Sequence, residues 1–406
     1  MTLPLRENNV KNIIRSSCGD SATSFYMKIV KIILLISFIW GYGRTPAQNT
    51  GFYQEIPYET IRNKIIIQAD VEGIKGKYLF DTGAPVCITH SRMKKGPEKK
   101  AIRQMVKDAH NNDAEYRLVM LDSIQLGNIG FGKIQALVFD EGNPLEHFGI
   151  DGIVGSSLFP DIVIRLDPRR KILVLASDTG SMELNPQYAI DMEKDQQNIP
   201  YIVIDFKNGL QEEVMFDTGT SAFYEMNEPI YHQLATAQGI VTKSKGFGAS
   251  AMGVNGMEKA ENKYRVQIDN LYVGAGKFKN VVTETVNASS SRIGTGLLKY
   301  GSVTLDFPDN KFYFTPDVTT TVDLNYKDWN VNVIVSGDSL IAGCIWQSME
   351  GRLQAGEKVV AINGKRYDKI DPGEALTSLV WMEGEEAEIT VIDKEGREKT
   401  VTIRKE

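Results

Sequence analysis

The stretch Ile65-Ile66-Ile67-Gln68-Ala69-Asp70-Val71-Glu72-Gly73-Ile74, running on to Tyr78-Leu79-Phe80-Asp81-Thr82-Gly83, decides the reading of the fold because the chain writes it twice. The second copy is Tyr201-Ile202-Val203-Ile204-Asp205-Phe206-Lys207-Asn208-Gly209-Leu210, running on to Val214-Met215-Phe216-Asp217-Thr218-Gly219. The two align without a gap at an offset of 136 residues. Each copy is a β-branched run, a turn at Glu72-Gly73 or Asn208-Gly209, and a return strand ending in Phe-Asp-Thr-Gly. Branched and aromatic side chains suit a pleated surface, and Asn-Gly between apolar runs is a strong hairpin signal.

The repeat continues downstream. Gly155-Ser156-Ser157-Leu158-Phe159 leads to Val163-Ile164-Arg165-Leu166-Asp167, and Gly294-Thr295-Gly296-Leu297-Leu298 leads to Ser302-Val303-Thr304-Leu305-Asp306, now at an offset of 139. Each half closes on another strand, Lys171 to Leu175 or Lys311 to Phe314. Internal repetition of this kind predicts two similar, mostly β lobes, at 52–182 and 196–318, joined by the polar stretch Glu183 to Asn198.

The doubled Phe-Asp-Thr-Gly resembles the active-site signature of aspartic proteases, of both the pepsin and the retropepsin type. The first copy continues Ala84-Pro85, as in retropepsins, and the second continues Thr220-Ser221, nearer pepsin. Asp151-Gly152-Ile153-Val154-Gly155 is similar to the apolar-apolar-Gly element that crosses beneath the active-site loop in that family. The resemblance implies an acid-protease fold with Asp81 and Asp217 as the catalytic carboxylates. Thr82, Gly83, Ala84, Thr218, Gly219 and Thr220 would form the supporting loops. It also implies that Thr82 and Thr218 tie the two loops together. Two carboxylates at hydrogen-bonding distance share one proton, one activating water and the other donating to the carbonyl oxygen, so no metal, cofactor or acyl-enzyme is required.

Two details sharpen the expectation. The hydroxyl of Thr220 is placed to donate to the outer oxygen of Asp217, whereas Ala84 offers Asp81 no such donor, which predicts that Asp217 is the more ionised partner. Lobe 2 departs from the family pattern at Arg292-Ile293-Gly294, where two apolar residues should precede the glycine. No flap tyrosine stands out. Tyr116 and the glycine-rich run from Gly246 to Gly256 are the candidates for mobile covers. A third Asp-Thr-Gly, at Asp178, is followed by polar rather than apolar residues and reads as a surface turn.

A third segment, 320–406, carries strands at Val331 to Val335 and Ile341 to Trp346, and Leu353-Gln354-Ala355-Gly356-Glu357 leading to Ile362-Asn363-Gly364. A helix-like stretch from Glu374 to Trp381 and a terminal hairpin follow. This segment resembles a bacterial PDZ domain of α+β type, which implies capture of a C-terminal peptide as an added strand. Leu340, Ile341, Ala342 and Gly343, at the end of the loop Ser336 to Leu340 and the start of the strand that follows, fall where the peptide would lie. A catalytically inactive protease-fold binding protein, acting through this segment alone, is the alternative reading.

From Met27 the chain runs through Lys28 and Lys31 to an apolar stretch, Ile32 to Trp40, and then Thr45-Pro46-Ala47. A basic start, a short apolar run and small residues are the marks of a signal peptide cut after Ala47, predicting a periplasmic or secreted protein. That run is too short to span a bilayer, which takes about 20 residues, so no stable membrane span is expected. The net charge of −6 among 406 residues, without a basic cluster, argues against nucleic acid as a partner. The four histidines show no metal-ligand spacing, and no Walker loop or nucleophile elbow is present. Cys87 and Cys344 fall in different predicted domains, so no bridge between them is expected. One chain supplies both halves of the site, which predicts a monomer acting on a peptide or protein substrate.

Overall fold

A computed structural model describes residues 13–14, 51–107, 113–250, 252–253, 256–370 and 382–406. The segment read as a signal peptide, Cys18, residues 108–112 and the stretch from Glu374 to Trp381 read as helix-like lie outside the described residues. Ile13 and Ile14 form a short parallel pairing with Gln211 and Glu212.

Lobe 1 comprises β1 (Tyr53–Ile61), β2 (Lys64–Val71), β3 (Ile74–Asp81), β4 (Cys87–Ile88), β5 (Ile102–Lys107), β6 (Asp113–Leu126), β7 (Ile129–Val138), β8 (Gly152–Gly155), β9 (Val163–Asp167) and β10 (Ile172–Ala176). Lobe 2 comprises β11 (Ala189–Lys194), β12 (Pro200–Phe206), β13 (Gln211–Phe216), β14 (Tyr224–Asn227), β15 (Val241–Gly248), β16 (Glu261–Val273), β17 (Gly276–Val286), β18 (Arg292–Ile293), β19 (Gly301–Asp306) and β20 (Lys311–Pro316). Each strand of lobe 1 has its counterpart ten places on. β12 shows the period-2 burial of a half-covered sheet, Pro200, Ile202, Ile204 and Phe206 buried and the residues between them partly exposed.

Pairings close each lobe into the same circuit. In lobe 1 it runs β2–β3–β8–β4–β7–β6 and back to β2. In lobe 2 it runs β12–β13–β18–β14–β17–β16 and back to β12. Glu72 (φ 52°) and Gly73 (φ 80°) both sit in the left-handed region, the geometry a tight hairpin between β2 and β3 requires. The corresponding turn in lobe 2 is longer, a 3-10 turn over Lys207–Gly209.

The lobes are joined by a shared antiparallel sheet in the order β1–β10–β9–β19–β20–β11. At its centre Arg165 lies opposite Thr304, Ile164 opposite Leu305 and Leu166 opposite Val303. Arg165 and Thr304 are each other's counterparts in the repeat, so the pseudo-twofold axis relating the lobes passes through this pair. One apolar core runs continuously through both lobes and the sheet between them. The polar stretch read as a connection is partly ordered sheet: β11 takes the outer position that β1 occupies on the other side. Its alternation of Ile190 and Met192 with charged residues is that of a strand with one face covered.

The third unit holds β21 (Val331–Ser336), β22 (Ser339–Trp346), β23 (Lys358–Ile362), β24 (Glu386–Ile392) and β25 (Glu398–Arg404). They pair in that order and bury their own core, including Val331, Ile389, Val391 and Ile403. Its β22 also adds to lobe 2, Trp346 lying opposite Gly246 of β15 and Ile345 opposite Phe247. The Arg265 guanidinium sits 4.2 Å from the centre of the buried Trp346 ring and donates to the carbonyls of Asp328 and Trp329.

The shared sheet is the mechanical link between the lobes, so its centre should be sensitive. Leu166, fully buried opposite Val303, is predicted to cost about 2–5 kcal/mol on change to Ala. Urea unfolding measures this, and an unchanged midpoint would contradict the assignment.

Candidate active site

The two Asp-Thr-Gly loops leave the ends of equivalent strands, β3 and β13, and meet between the lobes. The positions next to each aspartate in the fold are set by the strands that pair with these two. Phe80 lies beside Val154 of β8 and Phe216 beside Ile293 of β18, each in parallel register. β8 is the apolar element expected to cross beneath the first loop, and β18 takes the same place in lobe 2 with Arg292 where an apolar residue was expected.

The threonines interlock. Thr82 N–H donates to Thr218 Oγ1 at 3.0 Å, and Thr218 N–H donates to Thr82 Oγ1 at 3.0 Å. Each hydroxyl then donates to a carbonyl of the opposite lobe: Thr82 Oγ1 to Phe216 at 2.6 Å, Thr218 Oγ1 to Phe80 at 2.8 Å. Both threonines are essentially inaccessible, so these four bonds form away from water. The loops turn back so that Gly83 N–H donates to Asp81 Oδ1 at 2.9 Å and Gly219 N–H to Asp217 Oδ1 at 2.8 Å.

Both glycines are required by space. A β-carbon on Gly83 would stand 2.5 Å from Asp217 Cγ, and one on Gly219 would stand 2.4 Å from Asp81 Oδ2. Each glycine therefore lies against the aspartate of the other lobe. The two carboxyl groups are thereby brought side by side, each against the other lobe's loop glycine. Burial first, then the charge and hydrogen bond of Asp217, push the Asp81 carboxyl well above the usual carboxylate range. The neighbouring Lys64 works against this shift without cancelling it.

A turn from the opposite lobe packs on each loop. Arg62 and Asn63, both with positive φ, join β1 to β2 and reach lobe 2. There the Arg62 carbonyl accepts from Ser221 Oγ at 2.8 Å and the Asn63 carbonyl from Thr295 Oγ1 at 2.9 Å. Lys64 Nζ donates to the carbonyl of Gly219. On the other side Asn198, the counterpart of Arg62, donates through Nδ2 to the Ser156 carbonyl at 3.2 Å.

The expectation for Thr220 is corrected by the structure. Its hydroxyl donates to Glu225 Oε1 at 3.0 Å and not to Asp217. The group that faces the outer oxygen of Asp217 is Arg292, whose Nη1 lies 3.6 Å from Asp217 Oδ2. Arg292, the departure visible in the sequence, is buried and pairs through Nη2 with Glu225 Oε2 at 2.9 Å. Ala84 closes its loop by backbone bonds, its carbonyl accepting from Ser156 N–H. Lys64 and Glu225 were not singled out in the sequence. Lys64 reads as the first residue of an ordinary strand, and Glu225 reaches the site only through the pairing of β14 with β18.

The other candidates separate. Tyr116 is buried on β6, edge-on to Phe139 with ring centres 5.9 Å apart, so it is a core residue and not a mobile cover. Gly246 to Gly248 lie in β15 beside β22, and the rest of that glycine-rich run falls partly outside the described residues. Asp178 is exposed and its Oδ1 accepts from Gly180 N–H at 2.8 Å, as a surface turn does. Cys87 and Cys344 are free and buried.

The four residues proposed to receive a peptide are also corrected. Leu340, Ile341 and Ala342 face β21 on one edge. On the other edge Leu340 and Ile341 pair with β23, and Ala342 bonds to Glu357 and Gly356. Gly343 abuts the Ala249 carbonyl of lobe 2. None of the four offers an open edge to an added strand.

Crossed hydrogen bonds between buried threonines make a testable prediction. Thr82→Val or Thr218→Val leaves a buried N–H and a buried carbonyl of the opposite loop unpaired, and should cost about 1–3 kcal/mol each. In urea unfolding the double variant should fall short of additivity by roughly 0.5 kcal/mol or more, since both belong to one network. Strict additivity would mean the loops are held independently.

Residues 67–158, which carry the Asp81 loop and β8, match the family model described as aspartyl protease. A search of curated proteins returns no match. Among solved structures the chain is similar to an aspartic proteinase from Irpex lacteus, at 12% identity over 66% of this chain and 99% of that one, with a TM-score of 0.43. It is similar to basic 7S globulin from soybean at 9% identity over 66% and 96%, with a TM-score of 0.40. A retropepsin-like aspartic protease from Rickettsia conorii matches at 22% identity over 31% of this chain and 92% of that one, with a TM-score of 0.24. The chain is mostly β, and the family match covers the part of lobe 1 that delivers Asp81 to the site.

Proposed function

We propose that the chain is an aspartic endopeptidase in which Asp81 and Asp217 hydrolyse a peptide bond through a shared water. The observation that carries this reading is the pair of adjoining carboxyl groups, one from each lobe, with each loop locked to the other. A binding protein has no physical need for two facing acids, which cannot both be ionised cheaply.

The chemistry follows from the charge state of the pair. One carboxyl is ionised and one protonated. The carboxylate takes a proton from water as the water oxygen bonds to the substrate carbonyl carbon, while the protonated partner gives its proton to the carbonyl oxygen. The resulting diol then collapses: the carbon–nitrogen bond breaks, the amine takes the proton held by the first carboxyl, and a diol hydroxyl returns a proton to the second. The pair ends as it began, and no bond to the enzyme forms.

The third unit is proposed to recruit a peptide or a protein partner, as its resemblance to PDZ domains implies. The segment before residue 48 is proposed to direct the chain out of the cytoplasm. The binding-protein alternative becomes the reading of choice if hydrolysis is absent.

The pH dependence has a definite sign. The active form holds one proton between the two carboxyls, and the Asp81 proton is retained to higher pH than the ordinary 3.8 of an aspartate. The basic limb of the rate profile should therefore lie well above the carboxylate range, and activity should persist toward neutral pH. Mass spectrometry of a mixed peptide library, from pH 3 to 8, tests the reading. Cuts should fall by at least about 100-fold in both Asp81→Asn and Asp217→Asn, the usual size of a lost acid–base group. No cuts, or cuts that survive both changes, would overturn it.

A further inference from the structure

Lobe 2 differs from lobe 1 at three positions that touch one another. In lobe 1 Cys87 of β4 lies opposite Ile153 of β8, and both are buried. The corresponding pair in lobe 2 is Glu225 of β14 opposite Arg292 of β18. Ala84, after the first Asp-Thr-Gly, is matched by Thr220 after the second. The same place in the same fold is thus filled by an apolar packing in one lobe and by a hydroxyl, a carboxylate and a guanidinium in the other.

These three form a chain whose guanidinium ends at Asp217 and acts on Asp81 more weakly. Thr220 Oγ1 donates to Glu225 Oε1 at 3.0 Å, Arg292 Nη2 meets Glu225 Oε2 at 2.9 Å, and Arg292 Nη1 lies 3.6 Å from Asp217 Oδ2. Arg292 is only 5% exposed. Lobe 1 shows that the fold fills this place without any charge, and burying an ion pair brings little net stability over apolar packing. The charge therefore has a use that packing does not supply.

We propose that Arg292, held by Glu225 and Thr220, is a positioning residue that keeps the single negative charge of the pair on Asp217 and leaves the shared proton on Asp81. Asp217 then takes the proton from water and Asp81 protonates the substrate carbonyl. This rests on the peptidase reading above, and it gives a scaffold of near-twofold symmetry a fixed acid and a fixed base.

The other groups around the pair are consistent with this polarity. Lys64 approaches from the Asp81 side, but its ammonium is engaged by the Gly219 carbonyl. Cys87, in the place of Glu225, carries a thiol that burial keeps neutral, so no charge balances Asp81 from below. Tyr201 lies near Asp217 and stays protonated through burial. Glu258, whose own charge is met by Lys263, acts on Arg292 more weakly than Glu225 and Asp217 do. Beyond Glu225 lies a cavity of about 180 Å³, lined also by Glu284, Tyr326 and Asn332.

The test compares Arg292→Gln, Arg292→Lys, Glu225→Gln and the double variant Glu225→Cys, Arg292→Ile, which copies the packing of lobe 1 and guards against a fold lost to an unpaired charge. Removing the cation favours the protonated pair, so the acid limb of the kcat profile should rise by roughly one to three pH units in Arg292→Gln and in the double variant. At a pH one unit below the shifted limb kcat falls about tenfold, while KM stays within about twofold. Glu225→Gln frees Arg292 to act on Asp217 and should move the limb the other way, and Arg292→Lys should restore most of the original profile. A purely structural role would lower stability in all four without moving the limb in opposite directions. An unmoved limb in folded Arg292→Gln and in the double variant would overturn the inference. If the unaltered protein cleaves nothing, the peptidase reading fails by itself. Carboxyl ¹³C shifts of labelled Asp81 and Asp217, titrated in the same variants, then decide: the predicted rise in the first apparent pKa of the pair upholds the charge assignment, and an unchanged titration rejects it.

Discussion

Two hydroxyls that each serve both lobes govern this molecule. Thr82 and Thr218 accept from one another's backbone and donate across to Phe216 and Phe80, so neither Asp-Thr-Gly loop is complete without the other lobe. The rest of the architecture can be seen as what is needed to keep these four bonds in register. The shared six-stranded sheet fixes the distance between lobes, and the closed circuits present β3 and β13 at matching heights. The Arg62-Asn63 turn and Asn198 brace each loop from the opposite side. Close approach then does the chemistry's first task, because two carboxyls pressed together hold a proton that neither would hold alone.

Symmetry creates the site and its breaking sets the direction. A true twofold would leave the shared proton undecided between the two aspartates. The chain keeps the repeat wherever the backbone must match and abandons it beneath the carboxylates, where Cys87 and Ile153 give way to Glu225 and Arg292. A gene that carries both halves can make such a change in one lobe without imposing it on the other. The third unit also breaks the symmetry: β22 pairs with β15 of lobe 2, while among the described residues β5, its counterpart in lobe 1, pairs only with β6.

Much of this was legible in the sequence, and the limits are instructive. The repeat, the paired aspartates and the Asp178 decoy could be read because they depend on local strand and turn chemistry repeated at a fixed offset. Strand β11 was hidden in a polar connection because its alternation is short and its outer face is charged. The partner of Thr220 was misassigned for a different reason. A hydroxyl beside an aspartate in sequence suggests a bond to it, but Glu225 is brought closer by the crossing of β14 and β18, and only the fold reports that. Arg292 was visible as a departure, yet its meaning needed the position of Asp217 Oδ2. In the third unit the strands themselves were found, whereas the edge left free for a ligand depends on which strand each neighbour covers, and Leu340 to Gly343 proved to be covered on both sides.

The central claim is that Asp81 and Asp217 act as one unit on a tetrahedral carbon. Calorimetric titration with a peptide whose scissile amide is replaced by a hydroxyl-bearing tetrahedral carbon tests it most directly, since such a mimic takes the place of the attacked carbonyl and its water. The account predicts binding at least about 100-fold tighter than that of the parent peptide, lost in Asp81→Asn and in Asp217→Asn alike. Equal binding of mimic and parent peptide, or binding indifferent to either aspartate, would contradict it.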